Sequence, residues 1–113
     1  MTTLKQIIDT LQLSPLTNSL DYANITPSGG YCSDLLSCVM AGAKQGNVWV
    51  TLQAHNNIIA VAALLDLSAI IITENAQPDP ATIVKANEEG ISVFSTPLFS
   101  YEVIGRLWEM GIR

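Results

Sequence analysis

The chain has 113 residues, enough for one domain and too few for two of ordinary size. Apolar types make up 49% and charged types 13%, which excludes a disordered chain. Five Lys plus Arg stand against ten Asp plus Glu, a net charge of -5, which argues against a nucleic-acid partner and against docking on an anionic membrane, since both need a basic face.

The opening segment, Met1 to Thr10, has polar residues spread throughout and carries no apolar run of a signal peptide. It leads into a helix predicted over Thr3 to Leu13, with Leu4, Ile7, Ile8 and Leu11 spaced i, i+3, i+4 and i+7 and Pro15 as its stop. Residues 16–31 read as irregular or weakly extended, with Pro27 and the pair Gly29-Gly30 marking a turn. A second helix is expected with Ser33 as N-cap and Asp34 in its first turn. Its apolar face is Leu35, Leu36, Val39, Met40 and Ala43, and Gly46 is its stop. The strand Val48 to Leu52 follows, then a helix from about Asn56 to Leu65 that is apolar nearly all round and therefore buried. The unbroken apolar run, Ile58 to Leu65, is far shorter than the roughly 20 residues that span a bilayer, so the expected location is cytoplasmic.

The strand Ala69 to Thr73 is a continuous apolar run of the kind found in parallel sheets. Asp79 as N-cap with Pro80 at the first helical position gives the clearest helix start in the chain, and that helix ends at Glu88-Glu89-Gly90. After the strand Ile91 to Ser95, a last helix runs from Phe99 or Ser100 to Met110. It is expected to bury Val103, Ile104, Leu107 and Trp108, with Gly111-Ile112 as a Schellman stop.

Three strands end in a hydroxyl residue, Thr51, Thr73 and Ser95, each 22 residues from the next. Gly46 and Gly90 stand five residues ahead of the first and last of them. A repeated unit of helix, turn, short buried strand and loop predicts a small three-layer α/β domain. Its short, mainly parallel sheet has right-handed crossovers and helices on both faces.

In such sheets ligands bind beyond the carboxyl ends of the strands. Three loops supply that edge here, and the candidate binding residues are Thr51, Gln53, His55, Asn56, Thr73, Glu74, Ser95 and Thr96. The free N–H groups of the helices that follow suit a small anion, a nucleotide or a phosphorylated metabolite. The competing structural explanation is that the hydroxyls satisfy backbone groups in turns and caps. His55, the single histidine, has three readings: ligand contact, structural hydrogen bonding, or a general base oriented by Glu74 or Asp34.

No phosphate-cradling G-x-x-x-x-G-K-[ST], dinucleotide G-x-G-x-x-G, nucleophile-elbow G-x-S-x-G or zinc H-E-x-x-H motif is present. One His and no C-x-x-C imply no metal site, and no cofactor is implied. Cys32 and Cys38 are six residues apart, about 240° around a helix, so no disulfide between them is expected. Both read as small buried or half-buried thiols.

The stretches Gly29-Gly-Tyr-Cys-Ser-Asp34, Gly46-Asn-Val-Trp-Val-Thr51-Leu-Gln53-Ala-His55-Asn56 and Ser95-Thr-Pro-Leu-Phe-Ser100 occur in an order and spacing that resembles the DRTGG domain family. That module is similar to the N-terminal domain of HPr kinase/phosphorylase and, more distantly, to that of the Mur ligases. The resemblance covers about Leu4 to Gly111. Asp21, Thr26, Gly29 and Gly30 match four of the name-giving residues. Tyr22 stands where the family's arginine is expected, so any anion contact made by that arginine in relatives is missing here.

The resemblance implies a regulatory domain and not an enzyme. The catalytic P-loop domain of the kinase is a separate unit, and other relatives join this module to nucleotide-sensing CBS domains. The alternative function is a homodimeric protein-interaction module with no small-molecule ligand. Trp49, Trp108, Phe94, Phe99, Met40 and Met110 are the candidate interface residues.

Overall fold

Thr3 starts the first helix, α1 (Leu4–Leu11), with a reciprocal cap. Its hydroxyl accepts the Gln6 N–H at 3.2 Å, and the Gln6 side chain accepts the Thr3 N–H at 2.8 Å. The helix closes at Gln12 in the left-handed region (φ 53), so it stops before Pro15 can act on it. The computed structural model describes residues 1–113. Its remaining elements, in order, are β1 (Ser14–Pro15), a 3-10 turn (Tyr22–Asn24), β2 (Gly29–Cys32), α2 (Leu36–Gly42), β3 (Asn47–Thr51), α3 (Asn57–Leu65), β4 (Ala69–Ile72), α4 (Pro80–Glu89), β5 (Val93–Ser95) and α5 (Ser100–Glu109).

The five strands form one sheet in the order β1-β5-β4-β3-β2. Strands β2 to β5 are parallel, and β1 pairs antiparallel with β5 through Ser14↔Ser95 and Pro15↔Phe94. Each step from β2 to β5 moves the same way across the sheet. At a fixed crossover hand this places α2, α3 and α4 on one face. There Val39, Ile58, Ile59 and Ala86 pack on Trp49, Ile70, Ile72 and Val93. The alternate residues Val48, Val50, Ile71 and Phe94 face the other way and meet Leu4, Ile7 and Leu11 of α1 and Val103 and Leu107 of α5. The three-layer, mainly parallel α/β architecture expected from the repeat is therefore the observed one.

Several local expectations are corrected. Gly29 and Gly30 lie inside strand β2 and do not make a turn; the reason is crowding, because a Cβ on Gly29 would stand 2.5 Å from the Arg113 carbonyl oxygen. Ser33 and Asp34 precede α2 without capping it. Its N-cap is Leu35, and the Ser33 hydroxyl is spent on the Leu35 N–H at 3.1 Å. α2 ends at Gly42, so Gly46 (φ 82) serves the turn into β3. Trp49 and Phe94 are wholly buried and leave the list of interface candidates, whereas Phe99, Met40 and Trp108 are exposed. Ile104 and Trp108, expected in the core, are on the surface of α5, and Leu64 likewise leaves the buried set of α3. Cys32, in β2, and Cys38, in α2, are exposed free thiols and not buried ones.

Candidate functional site

Parallel register brings the ends of β3, β4 and β5 level, with Thr51 beside Ile72 and Ile72 beside Ser95. The loops that follow crowd one edge of the sheet. The β4 loop leads to α4 on one face and the β5 loop to α5 on the other. Neighbouring strands whose connections leave on opposite faces open a crevice at their carboxyl ends.

The expected residues fall into two groups. The first surrounds the end of β3. Thr51 is buried; its hydroxyl donates to Asp34 Oδ1 at 2.7 Å and accepts the Gln53 N–H at 3.1 Å. The same Asp34 oxygen accepts the Leu52 N–H at 2.9 Å, and Gln53 Nε2 donates to the Asp34 carbonyl at 3.2 Å. Asp34 thus ties the entry of α2 to the exit of β3. His55 and Asn56 are exposed at the start of α3, where His55 Nδ1 accepts the Asn57 N–H at 3.3 Å and Asn56 makes no side-chain cap.

Neither Glu74 nor Asp34 is bonded to His55, since the Asp34 carboxylate is taken up by Thr51 and Leu52 and that of Glu74 by Ser100. At the N-cap of α4, the Thr82 N–H at 2.9 Å and the Thr82 hydroxyl at 3.0 Å hold the Asp79 carboxyl below the usual carboxylate range, and the charge of His55 adds to this.

The second group closes the β4–β5 crevice. Thr73, buried, shares a hydrogen bond with Ser100 Oγ at 2.6 Å. Glu74 and Asn75 both take left-handed backbone conformations (φ 58 and 59), and their N–H groups donate to the Leu98 and Thr96 carbonyls at 2.9 and 3.1 Å. The Glu74 carboxylate accepts the Ser100 N–H at 3.5 Å, at the first turn of α5. Thr96 Oγ1 accepts the Leu98 N–H at 3.1 Å, and Ser95 is buried beside β1.

Thr51, Thr73 and Thr96 therefore satisfy turns and inter-loop contacts, while Gln53, His55, Asn56 and Glu74 face solvent wholly or in part. None of the main cavities is lined by these eight residues. A distinctly apolar hollow of about 120 Å³ lies instead between β2 and α5.

Asp34, Asp79 and Ser100 complete the edge and were not among the expected binding residues. Only Asp79 carried a local signal, the following Pro80. No group of three or more His, Cys, Asp or Glu side chains is gathered in a metal-binding arrangement. No helix is long and apolar enough to cross a membrane.

No family model and no curated protein matches the chain. Among solved structures, the CBS and DRTGG domains of the regulatory region of Clostridium perfringens pyrophosphatase, complexed with the activator diadenosine tetraphosphate, match with a TM-score of 0.76 at 23% identity. The match covers 94% of this chain and 45% of that one, so this chain spans less than half the length of its structural neighbour. The likeness is one of fold: the chain has a DRTGG-like α/β architecture.

Proposed function

We propose that this domain is a non-catalytic regulatory module that binds a small anionic, nucleotide-type ligand at the carboxyl edge of its sheet, and that it acts as a homodimer in the cytoplasm. The observation that carries the reading is the change of side between the β4 and β5 connections, which sets a switch point at the carboxyl edge where Glu74 is exposed, with the exposed His55 and Asn56 and the half-buried Gln53 at the end of the neighbouring strand β3. The regulatory region with the similar fold is complexed with a dinucleotide activator, which supports the ligand class.

The ligand competes with a contact already present. A phosphate at the first turn of α5 takes the place of the Glu74 carboxylate on the Ser100 N–H. Displaced from that contact, the Glu74 side chain turns to solvent while the backbone of residues 74 and 75 stays held by its bonds to the Leu98 and Thr96 carbonyls. A second reading, an adaptor with no small-molecule ligand, is favoured by the exposed Phe99, Met40 and Trp108.

A thermal-shift series with ATP, diadenosine tetraphosphate and inorganic phosphate tests the ligand reading. The expected result is a rise in Tm with one nucleotide class, growing with concentration and reaching about 2.7 kcal/mol of added stability at a hundred times Kd. His55→Ala and Gln53→Ala reduce that rise. A flat Tm across the series overturns the ligand reading.

A further inference from the structure

We propose that the open β2 edge of the sheet and the exposed stripe of α5 beside it form the surface through which two copies of this chain pair, joining their sheets across a two-fold axis. The inference rests on the homodimer reading above and is independent of the ligand.

The two edges of the sheet are finished differently. At the β1 edge the outer strand is two residues long, and Pro15 has no N–H to offer. The chain beyond it stays tied down, with the Leu16 N–H donating to the Val93 carbonyl and Thr17 Oγ1 accepting the Val93 N–H. Short strands, proline and covering loops are how natural sheets prevent edge-to-edge pairing.

The β2 edge has no proline and no charged residue from Gly29 to Cys32. The Ser28 N–H points to β3, where it donates to the Gly46 carbonyl. By strand alternation Tyr31 turns its N–H and C=O outward, to an edge that no strand covers. The Arg113 main chain lies against Gly29, so the open stretch runs from Gly30 to Cys32, and the small Gly30 and Cys32 on the α5 face let another chain come close on that side.

Beside this edge α5 covers β3 and stops short of β2, leaving the apolar hollow floored by Gly30 and Cys32 and walled by Ile104 and Trp108. Tyr101, Ile104 and Trp108, at i, i+3 and i+7, put an apolar stripe on one exposed face of α5.

Area argues for a second copy as the occupant. An aromatic side chain carries roughly 150–250 Å². With Trp108 56% and Tyr101 93% exposed, the two rings together offer on the order of 300 Å² per copy. A stable pair covers about 800 Å² per partner, a modest share of the 5936 Å² of this chain, and Ile104, the hollow and the β2 backbone beside Trp108 supply the remainder.

Symmetry argues the same way. Antiparallel pairing of β2 with itself is isologous, and the two-fold axis leaves both α5 helices on the same side of the joined sheet, with their stripes turned towards the joint. Trp108, with the Arg113 guanidinium 5.2 Å from its ring centroid, has the residue types that dominate the centres of such interfaces.

Sedimentation of the full chain over a concentration series, with Trp108→Glu, Tyr101→Lys and the distant surface variant Val84→Lys, tests the proposal. Circular dichroism confirms that each variant is folded. The expected result is a wild-type dimer, an unchanged Val84→Lys dimer, and a Kd raised at least about 30-fold by Trp108→Glu and by Tyr101→Lys. A wild-type dimer unaffected by either α5 variant overturns this surface and leaves the dimer itself standing. A wild type that stays monomeric at about 0.5 mM overturns both, and leaves the open edge to a strand of another protein.

Discussion

The two faces of the sheet are covered by different means. Over one face lie α2, α3 and α4, each put there by the crossover it belongs to. Over the other lie α1 and α5, which belong to no crossover and come from opposite ends of the chain. A one-directional winding covers its crossover face strand by strand, whereas the opposite face receives only the helices that flank the winding. Two helices do not reach across to β2, and the uncovered strip beside α5 is the result.

The largest effect that can break this comparison comes from the two tryptophans. Trp49 is wholly buried on the crossover face and donates its indole N–H to the Ser33 carbonyl at 2.9 Å, while Trp108 borders the uncovered strip. Trp49→Ala is expected to cost about 3–5 kcal/mol of unfolding free energy. Trp108→Ala, which loses mainly its contact with Arg113, is expected to cost about 1 kcal/mol or less. Urea unfolding of both variants, below the concentration at which copies pair, measures the difference. Equal costs would mean that the two faces are packed alike.

A smaller effect sharpens the comparison at the carboxyl edge. Asp34→Ala removes the acceptor of the buried Thr51 hydroxyl and of the Leu52 N–H, and is expected to cost about 1–3 kcal/mol in the same assay. The matching latch on the other side, Thr73 to Ser100, joins two hydroxyls, so Ser100→Ala should cost less than the Asp34 change.

The smallest effect is the pH response of Asp79. Its carboxyl is held low in the folded chain, first by the Thr82 N–H and hydroxyl and further by His55. A depressed folded pKa gives stability that is present above the ordinary carboxylate value and is lost as pH falls through the folded one. The Tm of wild type should therefore exceed that of Asp79→Ala at pH 7, with the two converging once the carboxyl is protonated. A gap that persists unchanged in acid would exclude the charged cap as its cause.

What the sequence revealed follows from how local each feature is. The start of α4 was readable because Asp79 and Pro80 act on their own neighbours. The gathering of three loops at one edge was readable because a 22-residue repeat of buried strands admits little besides a parallel sheet. Gly29 was misread because what makes glycine necessary there is the main chain of Arg113, far away in sequence. Strand β1 was missed because two residues carry no period, and its pairing with β5 is specified by tertiary contacts alone. Asp34 looked like a charge for a helix start, but its partners lie on a different strand. Likewise, nothing local to Glu74 or Ser100 shows that their loops are bonded to each other.

The flanking pair α1 and α5 also bears on how the chain assembles as it is synthesised. Contacts on the crossover face join elements that follow one another, so that face can build up while later residues are still being added. Leu4, Ile7 and Leu11 share their core with Val103 and Leu107, and these come from almost the full length of the chain away. A nascent chain that has completed β5 therefore still carries α1 with an incomplete apolar roof. Truncation before Val103 should yield a product prone to aggregate even though every strand of the sheet has been made.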